Sequence, residues 1–147
     1  MNGPLPSTRA FLSEIPSLPA DLKVRFLGCV KTYRISTGHL VLEHNYPRTR
    51  NPRQEPPSIP VDVNAVLETV TWEELCVGAW VNVVGYVRRV PAAAAWGRKG
   101  ASIPASACDA VHVDAVIVFS AGAIDLGEYE QILCDLQEVE RMKRLVE

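Results

Sequence analysis

LKVRFLGCVKTYRISTGHLVLEHN, residues Leu22 to Asn45, is the stretch that decides the fold. Val24 and Phe26 alternate with Lys23, Arg25 and Leu27, which is the period of a half-buried strand. Gly28 interrupts the run, and a second apolar stretch follows from Cys29 to Ile35. A glycine inside a strand marks a bend or a bulge. A long first strand must bend in this way if it is to serve both halves of a small closed barrel. Ser36, Thr37 and Gly38 supply a turn, and His39 to Glu43 supplies a second strand with Leu40 and Leu42 on one face, so the whole stretch reads as a hairpin.

Upstream, Pro4, Pro6, Pro16 and Pro19 remove backbone donors and oppose a continuous helix or a central strand. Residues 1–20 are therefore expected to form an N-terminal arm, with a single domain over residues 21–147. Downstream, Asn45 to Ser58 carries Pro47, Pro52, Pro56 and Pro57 and predicts a long loop. Val61, Val63 and Ala65, alternating with Asp62 and Asn64, predict a third strand. Thr71-Trp72-Glu73-Glu74 has the spacing of a capping box, with Val70 and Leu75 placed as a staple, and predicts a short helix ending near Gly78. Trp80 to Val90 reads as a fourth strand with an internal glycine at Gly85, and Val111 to Phe119 as a fifth. Pro91 to Asp109, rich in alanine and small polar residues, predicts a loop between them.

Ile124 to Val146 is the longest helical pattern, with Tyr129, Ile132, Leu136, Val139 and Val146 near a 3,4 spacing and Leu133 and Met142 widening the stripe. Glu128 and Glu130 lie early, while Arg141, Lys143 and Arg144 lie late, which suits the helix dipole at both ends. Three strands, a short helix, two strands and a terminal helix match the five-stranded Greek-key barrel of the OB type, with the short helix between strands three and four. A small α+β sandwich has the same element order. The two mid-strand glycines favour the closed, strongly bent sheet.

The 147 residues are 48% hydrophobic, enough for one core. No run reaches the roughly 18 consecutive apolar residues of a spanning helix, and the first residues lack a basic start followed by an apolar run, so neither membrane insertion nor secretion is expected. Cys29, Cys76, Cys108 and Cys134 are scattered singly, which suits reduced thiols better than a zinc site or a disulfide framework. A net charge of -2 disfavours bulk electrostatic capture of nucleic acid.

Three segments carry a family resemblance. LKVRFLGCVKTYRISTGHLVLEHN, WEELCVGAWVNVVGYV (residues 72–87) and VDAVIVFSAGAIDLGEYEQILCDL (residues 113–136) resemble the smallest OB-fold subunit of the telomere-capping CST complex in its fungal form. The resemblance covers roughly residues 5–147 and includes no catalytic signature. It implies a one-to-one heterodimer with the Stn-type OB-fold subunit, assembly with the large CST subunit, and a nuclear, telomeric location. Single-stranded telomeric DNA would be held mainly through the complex. The terminal helices of the two barrels would pack together, which nominates Tyr129, Ile132, Leu133, Leu136, Val139 and Met142 as partner contacts. The long loops depart from smaller relatives.

Each nomination has a plainer competitor. The stripe spans about five turns and a barrel of this size covers about three, at 1.5 Å of rise per residue, although a final helix also commonly covers its own barrel. Arg48, Arg50 and Arg53 near Tyr46 and His44 offer guanidinium forks beside an aromatic, as do Arg98 and Lys99 beside Trp96, yet arginines in proline-rich or glycine-rich loops are also simply solvated. Lys31 and Arg34 flank Tyr33 at the end of the first strand, where the binding face of such barrels lies. His112 and Asp114 share a strand face, but two groups do not close a metal site. Trp72 and Trp80 are expected in the core or as lids. No cofactor is called for. A free-standing OB module for single-stranded nucleic acid is the alternative, and a small hydrolase using His112 has no supporting spacing.

Overall fold

A computed structural model describes residues 6–46, 55–90 and 110–146. In chain order these hold strand β1 (Thr8–Arg9), a 3-10 turn at Leu12–Ser17, β2 (Lys23–Arg34), β3 (His39–Glu43), β4 (Ser58–Asp62), a 3-10 turn at Asn64–Val66, helix α1 (Trp72–Leu75), β5 (Trp80–Val90), β6 (Ala110–Ser120) and helix α2 (Leu126–Val146).

β2 serves two neighbours in succession. Lys23 to Cys29 pair antiparallel with β5, and Cys29 to Arg34 pair antiparallel with β3, so Cys29 belongs to both ladders. β3 pairs with β4, β4 pairs parallel with β6 through Val61 and Asp62, and β6 pairs with β5. The ladders close a ring of five strands, which is the OB-type barrel and excludes the open sandwich.

Both mid-strand glycines sit where a side chain does not fit. A Cβ on Gly28 would lie 2.9 Å from the Leu42 Cβ and 3.1 Å from Leu12, and one on Gly85 would lie 2.3 Å from the Asp114 carbonyl oxygen. Gly85 also marks the register shift between β5 and β6, where the pairing steps from Ile117 to Ala115 and leaves Val116 as the extra residue of a bulge.

The interior is filled by inward residues such as Phe26, Val30, Leu42, Val61, Val83 and Val113. The prolines of the arm break regular structure but do not keep it out of the core. Thr8 and Arg9 pair parallel with Val24 and Arg25, and Leu12 and Ile15 are fully buried in the interior cluster.

Two expectations are corrected. The third strand runs over Ser58–Asp62 instead of continuing to Ala65. The Asp62 carboxylate accepts hydrogen bonds from the Asn64 backbone N–H at 2.9 Å and from its side-chain amide at 2.8 Å, a local turn that ends the strand and leaves Ala65 exposed. Pro60 is tolerated inside β4 because the pairing with β6 begins only at Val61. Trp72 is not a lid: it is 73% exposed. α1 has only four residues, and it turns Leu75 toward the core, leaving Trp72 on the solvent side. The expected return from Glu74 is present, since its carboxylate accepts the Thr71 backbone N–H at 2.8 Å.

Candidate functional site

The site grows from the turn after β6. Gly122 adopts a positive φ and its N–H donates to Ser120 Oγ at 3.1 Å, which reverses the chain. Asp125 then caps α2, accepting the Glu128 N–H at 3.1 Å. α2 has 21 residues, a length of about 31 Å.

Up to Gln137 it is tied to the barrel and arm by four side chains. Leu133 is buried, although it lies outside the interior cluster, as does Leu27 on the outward side of β2. Leu27 thus keeps the alternation expected of it, and its outward face is covered. Tyr129 is hydrogen-bonded to the Leu27 backbone; burial pushes its phenol up, against the pull of Arg25, Arg9 and that hydrogen bond. Glu130 meets His44 Nε2 at 2.8 Å, and the His44 ring lies edge-on to Phe11 and Trp80. Gln137 donates to Glu14 of the arm at 2.8 Å.

Gln137 is the last side chain of α2 with a hydrogen bond to the barrel or arm among the described residues. The rest of the helix, Glu138 to Val146, extends about another 14 Å. Ile132, Leu136, Val139 and Met142 are exposed, from 42% at Leu136 to 58% at Met142, and Leu145 and Val146 more so. Solitary exposed apolar residues need no explanation, whereas a stripe repeated along three turns of one helix does. Leu133, nominated with them, is enclosed by the chain's own barrel and lies beneath this face instead of on it, because it falls on the barrel-facing side of the helix. Tyr129 is half-buried at the seam.

Beside the stripe, α2 and the barrel enclose a cleft of about 260 Å³ lined by Arg9, Arg25, Asn82, Ile124, Tyr129, Ile132 and Leu136. The parallel pairing of β1 with β2 brings Arg9 next to Arg25. Arg25 also stacks over Phe119, 5.6 Å from the ring centroid. The cleft therefore offers an apolar floor with two guanidinium groups at its rim. Arg9 and Arg25 were not nominated from the sequence. The alternation of β2 places Arg25 outward, but nothing local to Arg9 shows that a two-residue strand will lie beside it.

The residues nominated for nucleic acid are dispersed. Lys31 and Arg34 are exposed on the second half of β2, and Tyr33 between them is partly buried against the core. Tyr46 lies at the opposite end of the β2–β3 hairpin, with its hydroxyl against the first turn of α2 at Gly127. Arg48, Arg50, Arg53, Trp96, Arg98 and Lys99 lie outside the described residues. His112 and Asp114 do meet, at 3.1 Å, but Asp114 also receives Arg88 Nε at 2.9 Å, and Arg88 reaches Asp21 as well. These are polar contacts on the barrel surface; among the described residues no group of three or more side chains is placed to hold a metal ion.

Three comparisons bear on this architecture. The model of the Ten1 family, described as a telomere-capping CST complex subunit, matches residues 1–134. The crystal structure of the S. pombe Stn1-Ten1 complex is similar at a TM-score of 0.63 and 26% identity, over 92% of this chain and 96% of that one. The crystal structure of the telomere-capping protein Ten1 from S. pombe is similar at a TM-score of 0.61 and 26% identity, over 90% and 99%. No curated protein matches the chain significantly.

Proposed function

The chain belongs to the Ten1 family of telomere-capping CST complex subunits, and from that premise we propose that it acts without catalysis, holding a Stn-type OB-fold subunit one-to-one through the exposed face of α2. The observation that carries this reading is the exposed stripe of Ile132, Leu136, Val139 and Met142, which begins over the barrel and continues past Gln137, the last residue of the helix hydrogen-bonded to the barrel or arm among the described residues. An apolar face of that length favours a matching helix, and the similarity to a chain solved with Stn1 supports the choice of partner. The cleft adds specificity. Its apolar floor accepts a bulky side chain, and Arg9 and Arg25 favour a carboxylate beside it.

Binding a folded partner stabilises both chains by mass action. On this reading the protein sustains end capping by keeping its partner assembled, with the large CST subunit completing the complex at telomeres in the nucleus. Single-stranded telomeric DNA is then gripped chiefly by the assembly. The family does not favour a free-standing nucleic-acid module.

The test replaces Leu136 and Val139 by aspartate. The double variant should remain a folded monomer and lose co-elution with the Stn-type subunit. Retained co-elution would show that the partner docks elsewhere.

A further inference from the structure

We propose that His44 is a positioning residue for the partner: bonded to Glu130, it sets the direction in which α2 leaves the barrel, and through that direction the strength of partner binding.

His44 follows β3, and its backbone N–H donates to the Pro57 carbonyl at 3.0 Å. Its side chain is 10% exposed and lies edge-on to Trp80 of β5, at 5.6 Å between ring centroids, and to Phe11 of the arm, at 6.3 Å. Because the Glu130 carboxylate accepts, His44 Nε2 carries the proton of their 2.8 Å bond. Nδ1 is buried and has no hydrogen-bond partner among the described residues, so Glu130 is the one polar tether of the ring among them. The second tie on this flank of α2 runs through the arm. Glu14 Oε1 accepts both the Phe11 N–H and Gln137 Nε2, each at 2.8 Å, and the Phe11 ring rests against His44. The imidazole is therefore the junction of hairpin, arm, β5 and helix.

Stability alone does not account for such a ring. A buried nitrogen without a partner costs free energy, and an apolar side chain of similar size fills a slot between two aromatic rings without that cost. What the imidazole adds is a directional bond to the helix.

Glu130 lies about 120–180° around the helix from Ile132, Leu136, Val139 and Met142, so the bond acts through the helix and not by touching a partner seated on the stripe. Val146 lies about 24 Å beyond Glu130, and a swing of about 10° at Glu130 moves it about 4 Å. A closely packed interface does not absorb a shift of that size, whereas a helix already held in its bound direction avoids the cost of ordering on association. The inference rests on the partner reading, since it requires α2 to be the dock.

The experiment measures calorimetric affinity for the Stn-type subunit, together with the thermal midpoint and the amide residual dipolar couplings of α2 and the barrel in the free full chain. H44L should weaken binding about tenfold without lowering the midpoint, through loss of preorganisation. Its couplings should show α2 turned or loosened against the barrel. H44Q, whose side-chain amide reaches where the imidazole Nε2 does, should bind within about twofold of the unaltered protein. E130A should weaken binding as H44L does, and H44L/E130A no more than either alone, as one shared bond requires.

Unchanged affinity in H44L and E130A would overturn the proposal, as would unchanged couplings in H44L. A lowered midpoint in H44L would overturn it by making the ring a structural support. An equal loss in H44Q, or additive losses in the double variant, would overturn it by removing the bond from the effect. The partner reading fails separately, by co-elution of the Leu136 and Val139 aspartate variant.

Discussion

Gly85 illustrates how one residue fixes the geometry around it. A Cβ there would meet the Asp114 carbonyl oxygen and Val113 Cγ1, both held by the β5–β6 ladder, so neither can yield cheaply. Gly85→Ala should therefore destabilise by about 1–3 kcal/mol, the usual cost of overpacking, read by chemical denaturation. Gly28→Ala should cost in the same range, through Leu42 and Leu12. Asp62 makes a second residue-scale prediction. Burial works to raise its carboxyl, but the hydrogen bonds from Asn64 and the proximity of His39 and His112 outweigh it and hold the group below the ordinary value of 3.8. A carboxyl depressed on folding adds stability above the unfolded value, and that stability is lost as pH falls through the folded one. Stability should decline on acidification below about pH 4, and Asp62→Asn should reduce the part of that decline that Asp62 contributes. An unaltered acid limb in the variant would show that Asp62 contributes nothing to it.

At the scale of elements, the arm and α2 behave differently from what their sequences alone convey. Over residues 6–20 the arm holds only a two-residue edge strand and a 3-10 turn, yet Leu12 and Ile15 are among the most buried of the described side chains. Their burial depends on contacts with strands far away in sequence, which no local pattern encodes. We propose that the arm is part of the folding unit, so Ile15→Ala should cost about 2–5 kcal/mol, as truncation of a fully buried aliphatic does. A cost below about 0.5 kcal/mol would mark the arm as dispensable packing. β5, β6 and α2 lie within a few residues of where alternation and the 3,4 stripe place them, because each covers a long periodic run. The third strand was misplaced because Asp62 and Asn64 form a turn that the alternation of Val61, Val63 and Ala65 conceals. The stripe of α2 was legible, but its division was not: Leu133 lies on the barrel side and Leu136 on the open side, only three residues apart.

On the reading proposed above, the molecule is a barrel whose interior serves stability and one end of whose terminal helix serves recognition. The barrel follows from the order of elements and the two glycines, which need little long-range information. The rim of the cleft does not, since Arg9 and Arg25 converge only through the parallel pairing of β1 with β2. Reversal of that charge, as in Arg25→Glu, should weaken the partner complex at least tenfold with the greater loss at low salt, where the opposing charges are least screened. A salt-independent effect would point instead to lost packing on Phe119.

The central claim is that residues beyond Gln137 are held by a partner. Amide hydrogen exchange tests it most directly, because an end of a helix that lacks packing opens and exchanges readily while a docked one does not. Measured alone and with the Stn-type subunit, residues 138–146 should pass from rapid to slow exchange, with little change in β2 or β5. Complex formation that leaves residues 138–146 exchanging as before would contradict the account.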